Sequence, residues 1–449
     1  EQFFNKYPEL QALVSHLSDA DIDRLRRGGH DPVKIYAAYR AALSHKGRPT
    51  VILAQTKKGY GMGHWGQGKM GTHQQKKLDD TALKEFRDRF SVPLSDEDVS
   101  QLRFYTPGPQ SAEIKYLNAR RSELGGYLPI RRTATQALRT PALSAFQKII
   151  EGTAREQSTT MIFVQLLAQL MKDENLGKRI VPIVADEART FGLQTLFRQA
   201  GIYSALGQLY EPEDHEELLY YREAKDGQIL EEGITEAGAL SSWLAAATSY
   251  STHGLPMLPF YIYYSMFGFQ RIGDLIWAAA DARAKGFMLG GTAGRTTLNG
   301  EGLQHQDGHS HVLYSCVPNC VAYDPTYGYE LAVIVQEGLR RMVGEQESIF
   351  YYITCMNENY AHPPMPEGVE EGILKGMYLL RTGGQGKIRT QLLGSGTILR
   401  EVLAAAQLLE ADFGIPSDVW SVTTSGTIRL SRLSIRWPLP ASPIDAAGT

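Results

Sequence analysis

EEGITEAGALSSWLAAATSYSTHG (residues 231–254) runs into MLPFYIYYS (257–265), which leads to RIGDLIWAAADARAKG (271–286) and FMLGG (287–291). The first stretch is an apolar helix with a single carboxylate, Glu236, at its mouth. The second is a short, almost wholly apolar run, as expected of a strand covered on both faces. An aromatic shelf, Tyr264 to Phe269, follows that strand directly. Helix, buried strand, helix, strand at this spacing predicts an α/β fold built on a doubly wound, mostly parallel sheet, with ligands at the carboxyl ends of its strands.

The same alternation extends outward to fill residues 141–372. STTMIFVQLLAQLMKD predicts a helix and RIVPIVA a strand that ends at Asp186-Glu187. NCVAYD, YELAVIVQEGLRRM and SIFYYITC predict strand, helix and strand on the other side. From residue 373 to 423, KGMYLL, IRTQLLGSG, ILREVLAAAQLLEAD and DVWSVT form a further strand and helix set. One such set cannot cover both faces of a sheet, so this last domain is expected to be incomplete. Residues 424–449, rich in Ser, Arg and Pro, lose the pattern and are expected to be an aberrant tail.

Upstream, Ser18 with Asp21 suggests a capping box, and Asp31 caps a helix with Pro32 at its first position. That helix (VKIYAAYRAALSHK) ends at Gly47, and TVILAQT is expected to be a buried strand. Residues 57–77, KKGYGMGHWGQGKMGTHQQKK, carry six glycines and no apolar periodicity, so they are expected to form a mobile surface loop. Residues 1–80 are thus expected to be the remnant of a domain, and the polar stretch 81–140 a linker.

With 46 basic and 49 acidic residues, a formal charge of −3 and no long basic run, nucleic acid is not an expected partner. No apolar run reaches the roughly 18 residues of a membrane span, so no membrane partner is expected either. Three cysteines, Cys316, Cys320 and Cys355, are too few and odd for a disulfide framework. The number suits a reducing compartment, and Cys316 with Cys320, separated by three residues in strand-like sequence, suits buried structural thiols rather than a metal or redox pair. The chain opens on Glu1 without a methionine or signal segment, the expectation for a piece of something longer.

A carboxyl group beside flat aromatic faces suits a heteroaromatic cofactor with a basic ring nitrogen, because burial there favours a proton shared between the two. Glu236 with Tyr264 and Phe267 meets that description and points to thiamine diphosphate. An acid in a helix's first turn is equally explained by the dipole, and the two aromatics equally by core packing. Asp186 and Glu187 at a strand end are costly unless paired or functional. GEGLQHQDGHSH (300–311) gathers His305, His309 and His311 around Asp307. It suits a histidine that binds a substrate carboxylate or shuttles a proton, or else a zinc site, although no HExxH helical frame is present. His73 lies in the glycine loop, either as a lid residue or as a solvated surface imidazole.

GGHDPVKIYAA, KKGYGMG, the THQQKK loop, VADEARTFG, FRQAGIYS, SWLAAATSYST, FYIYYSMFGFQRIGDL, GRTTLNGEGLQHQDGHSH and YYITCMNENY together resemble the homodimeric pyruvate dehydrogenase family, in the transketolase-like superfamily. The resemblance covers residues 1 to about 423. It implies a transketolase-like thiamine diphosphate-binding fold, with pyruvate as substrate and the lipoyl domain of a dihydrolipoyl acetyltransferase as partner. It further implies a homodimer in a bacterial cytoplasm. By resemblance Glu236 activates the aminopyrimidine, Phe267 and Tyr264 line its pocket, and Asp186 and Glu187 form an acidic pair near the cofactor. His305 handles pyruvate, and His73 assists transfer to the lipoyl group. The family's diphosphate and Mg2+ motif, a GDG with a later asparagine, is expected upstream of Glu1, so the chain alone is expected to be inactive and to supply no metal ligands. Gln67 stands where the family usually has an acid. A related 2-oxo-acid dehydrogenase and a metal-binding protein using the 305–311 histidines are the competing expectations.

Overall fold

Side chains of Leu258–Tyr264 alternate between two apolar layers, and this makes the strand the middle of the largest sheet. The computed structural model describes residues 3–24, 28–127, 132–185, 188–213, 221–294, 302–386 and 388–424. Six strands, β1 (Ile180–Val184), β2 (Leu230–Glu231), β3 (Leu258–Tyr264), β4 (Phe287–Gly291), β5 (Cys320–Tyr323) and β6 (Phe350–Thr354), lie in the order β2-β1-β3-β4-β6-β5. Every pairing is parallel, with Tyr261 of β3 opposite Ile183 on one side and Met288 on the other.

Leu258, Phe260 and Ile262 join one core with α1 (Thr159–Leu170) and α4 (Gly328–Leu339). Tyr261 and Tyr263 join the other with α2 (Glu236–His253) and α3 (Phe269–Asp281). That period of two sends successive side chains to opposite faces, so both must be covered by helices. Trp243 of α2, fully buried, donates its indole N–H to the Phe287 carbonyl at 3.0 Å and so ties the helix to β4.

The path of the chain sets the ligand edge. From β1 it moves outward to β2, then returns through α2 to lay β3 on the opposite side of β1. At such a reversal the loops leaving two neighbouring strands diverge and open a crevice at their carboxyl ends. Here those strands are β1 and β3.

Beyond α4, β7 (Met377–Arg381), β8 (Thr390–Gly394) and β9 (Ser417–Val422) form a mixed sheet in the order β7-β9-β8 with a single long helix, α5 (Ile398–Phe413). Tyr378, Leu399, Ala406 and Val419 of this segment belong to the same apolar core as α1 and α4. The three strands therefore lean on the larger sheet's helical layer. Of the tail expected at residues 424–449, all but Thr424 lies outside the described residues.

The chain divides into two units, Glu1–Leu128 and Pro129–Thr449. In the first, the Ser18–Asp21 capping pair forms, and Asp31 accepts the N–H groups of Val33 and Lys34 at 3.0 and 3.1 Å to cap Pro32–Ser44. TVILAQT, expected as a buried strand, is not one: Val51 is 81% and Leu53 91% exposed, and no strand is present among the described residues of this unit. A parallel strand is stable only with neighbours to satisfy its backbone, and this run has none there. The glycine loop, expected to be a mobile surface loop, carries short helical turns at Gly63–Gly66 and Met70–Gln74, and the stretch expected as a linker carries helices Asp80–Arg89, Asp96–Ser100 and Ala112–Glu123. Cys316 also differs from expectation, since it is exposed after a short helix while Cys355 is buried. Among the described residues, no helix is long and apolar enough to cross a membrane.

Candidate active site

Glu236 is the first residue of α2, and the Thr235 hydroxyl caps the helix by accepting the Gly238 N–H at 3.2 Å. Its carboxylate, with 16% of the side chain exposed, accepts an N–H from Arg271 at 2.5 Å. The Arg271 guanidinium carbon in turn lies 4.2 Å from the centroid of the Phe267 ring. Two local features bring Arg271 there. Gly268 passes so close to Tyr263 that a Cβ would sit 2.3 Å from its ring, which only glycine permits. Ile272 leaves helical geometry (φ −130°, ψ 22°), so Gln270 and Arg271 stand at an angle to the rest of α3.

Tyr264, Phe267 and His305 form a mutual edge-to-face cluster. Ring centroids are 5.9 Å apart for Tyr264 and Phe267, 4.5 Å for Tyr264 and His305, and 5.2 Å for Phe267 and His305. Phe191, fully buried, backs Tyr264 at 5.2 Å. The Nδ1 of His305 is buried and has no hydrogen-bond partner among the described residues. A buried polar atom without a partner is costly in a folded protein and is a candidate place for a ligand group.

The other two histidines of the 300–311 segment go elsewhere. Nε2 of His309 meets Nε2 of Gln270 at 2.6 Å, and Nε2 of His311 meets the Thr354 hydroxyl at 2.9 Å. Asp307 organises this divergence by accepting the N–H groups of His309 and Ser310, both at 3.0 Å, and the Ser310 hydroxyl. Burial works to raise the Asp307 carboxyl, but these hydrogen bonds outweigh it and hold it below its usual value. Burial depresses the His311 imidazole, against the pull of Asp324 and Asp307. Zinc would need such nitrogens gathered at one point, and among the described residues no three His, Cys, Asp or Glu groups converge.

Asp186 and Glu187 lie outside the described residues; before them, the carbonyls of Val184 and Ala185 accept the N–H groups of Glu232 and Gly233, both at 3.0 Å. The end of β1 is thereby fastened to the strip that leads to Glu236. His73 is exposed on the turn Met70–Gln74 of the first unit, and the Gln67 side chain there accepts the Gly61 N–H at 3.0 Å. Sequence reasoning missed Arg271, although a cation four residues after an aromatic on a helical turn is a usable signal. It also missed Phe191, which no local pattern distinguishes from ordinary core.

The pyruvate dehydrogenase E1 component middle domain matches residues 144–363. A transketolase-like TK C-terminal domain matches residues 376–434. Pyruvate dehydrogenase E1 components of Pseudomonas aeruginosa and Escherichia coli K12 are 60% and 57% identical over 440 and 428 residues, 97% and 94% of this chain. The chain belongs to the pyruvate dehydrogenase E1 component family. It spans about half the length of these curated relatives, 50% and 48% respectively. Transketolases from Campylobacter jejuni (18% identical, TM-score 0.57, covering 88% of this chain and 55% of that one) and Pichia stipitis (16%, 0.60, 96% and 59%) share the fold. Membership and the transketolase-like α/β fold agree with the sequence reading, and nothing in the family's relatives favours a metal-binding protein.

Proposed function

We propose that this chain forms the aminopyrimidine side of a thiamine diphosphate site in an enzyme that decarboxylates pyruvate and passes the acetyl unit to a lipoyl group. The observation that carries the reading is the carboxylate of Glu236 at a helix mouth, linked through Arg271 to the Phe267 ring, which packs on Tyr264 and on His305 with its orphaned Nδ1. This donor set fits the cofactor: a carboxyl group for a basic ring nitrogen, and aromatic surface for its plane. When bound, thiamine diphosphate supplies a nucleophilic carbon and the electron sink for loss of carbon dioxide.

The protein's own residues orient and move protons. Glu236 holds a proton against the pyrimidine nitrogen. Phe267 and Tyr264 exclude water from that plane, which strengthens the hydrogen bond made there. His305 offers Nδ1 to the substrate carboxylate, and His73 acts at transfer to the lipoyl group. Asp186 and Glu187 act near the cofactor in this proposal, as the resemblance implies. Mg2+, a second subunit, the acetyltransferase partner and a bacterial cytoplasmic setting belong to the whole protein in this proposal, and the chain alone is inactive.

The test is this chain extended to the length of its relatives, with and without Glu236→Ala, assayed for acetyl-lipoyl formation from pyruvate and titrated calorimetrically with thiamine diphosphate and Mg2+. A turnover loss of about 10²-fold or more in a folded variant is expected from removing a proton-transfer group. Undiminished turnover overturns the assignment.

A further inference from the structure

Arg271 presents to Phe267 and Glu236 the same features that an aminopyrimidine would: a flat face, N–H donors in the plane of that face and, when the ring nitrogen is protonated, positive charge. Its guanidinium carbon is 4.2 Å from the Phe267 centroid, the spacing of a stacked ring, and its N–H reaches Glu236 at 2.5 Å. One face of Phe267 cannot carry two stacked planes. One carboxylate oxygen at that distance from Arg271 is also already engaged. We propose that Arg271 is a resident placeholder that fills the aminopyrimidine slot and must swing out for the cofactor to enter. The inference rests on the thiamine reading above and adds to it the residue that guards the slot.

The geometry permits the exchange. The Arg271 side chain is 49% exposed against 16% for Glu236, so it can rotate into solvent while the carboxylate stays. The kink at Ile272 separates this turn from the buried part of α3, so the swing requires no repacking of Ile276 or Ala279. The placeholder also imposes selectivity. A ligand that only stacks would displace Arg271 and leave Glu236 partly buried without a partner, which is unfavourable. A ligand with both a flat face and a donor replaces each lost contact. The slot therefore favours amino-substituted heteroaromatic rings over plain aromatic ones.

The experiment uses thiamine itself, which has the aminopyrimidine but no diphosphate, titrated by ligand- and protein-observed NMR into the chain extended to the length of its relatives and into its variants. Arg271→Ala is expected to bind thiamine roughly three- to tenfold tighter than the parent, the scale of a half-exposed ion pair with a cation–π contact. Arg271→Ala combined with Glu236→Gln is expected to lose that gain. In the parent chain, the Arg271 side-chain N–H resonance, shielded by the Phe267 ring, is expected to shift as thiamine is added. Equal or tighter binding by the parent, or an Arg271 resonance unmoved at saturation, overturns the placeholder while leaving the cofactor reading intact. Absence of thiamine binding in every variant overturns the cofactor reading, and the placeholder with it.

Discussion

The Glu330 carboxylate accepts the Tyr378 hydroxyl at 2.7 Å, and this contact fastens β7 to the first turn of α4. Glu330 is fully buried and also accepts the Thr326 N–H at 2.6 Å, the Tyr327 N–H at 3.0 Å and the Ser421 hydroxyl at 2.6 Å. Such a carboxylate is tolerable inside a protein only because its lone pairs are met by donors. It joins the smaller sheet to the larger one through both β7 and β9. Glu330→Ala strands all four donors and is expected to cost about 3–5 kcal/mol. Tyr378→Phe removes two hydrogen bonds, to Glu330 and to the Tyr329 hydroxyl at 2.6 Å, and is expected to cost about 1–2 kcal/mol. Urea denaturation of the two variants checks the ratio, and equal costs would contradict the role of Glu330 as the shared acceptor.

Among the described residues, the buried Lys285 ammonium has only Gln346 at 3.4 Å and the Tyr250 ring at 4.4 Å to receive it, and burial pulls it down to about 8 from 10.5. Between those values the unfolded chain holds a proton that the folded one has released, so this group makes stability rise as pH climbs from about 8 to 10.5. Buried tyrosines such as Tyr263, Tyr314 and Tyr352, raised by desolvation, act in the opposite sense at high pH. The measurement is therefore the difference in denaturation free energy between the parent and Lys285→Met. That difference is expected to move in favour of the parent as pH rises through this window, and a flat difference would contradict it.

Gly291 ends β4 against Phe191, where an added Cβ would stand 2.4 Å from the ring. Gly291→Ala must push Phe191, and Phe191 backs Tyr264 of the aromatic shelf. Overpacking of this kind is expected to cost about 1–3 kcal/mol. Thermal unfolding should show the loss, and thiamine binding should weaken alongside it because the shelf moves.

His305 and His311 both have a buried Nδ1 without a hydrogen-bond partner among the described residues, but His305 is the one whose ring packs on both Tyr264 and Phe267. In the protein extended to the length of its relatives, His305→Ala is expected to lower kcat/KM for pyruvate by about 10²-fold, with little change in the affinity for thiamine diphosphate. An equal loss in cofactor affinity would move His305 from substrate handling to cofactor packing.

The elements of residues 158–422 were legible wherever the pattern was long. The run STTMIFVQLLAQLMKD, the β3 run and the helices that follow β3 and β8 all form where the periodicity puts them. Short strands with no apolar signal were not legible: Thr153–Gln157, paired antiparallel with Tyr360–His362, and β2 itself, two residues long. A two-residue strand carries no period, and only its neighbour Ile183–Val184 defines it. At the site, Glu236, Tyr264, Phe267 and His305 were visible as residue types at a predicted sheet edge. Their convergence was not, because His305 comes from a loop 38 positions beyond Phe267.

What depends on neighbours along the chain is readable from the residues alone: strand and helix periods, the caps at Asp31 and Ser18, and the α/β class. The residues also supplied motifs that resemble the family to which the chain belongs. Tertiary structure alone decided what depends on distant partners. TVILAQT has the composition of a strand and none of its hydrogen bonds, because pairing belongs to the neighbour as much as to the run. Three histidines close in sequence part company because Asp307 turns the backbone between them. Arg271 meets Glu236 across 35 residues, since only the folded sheet brings the mouth of one helix to the first turn of the next.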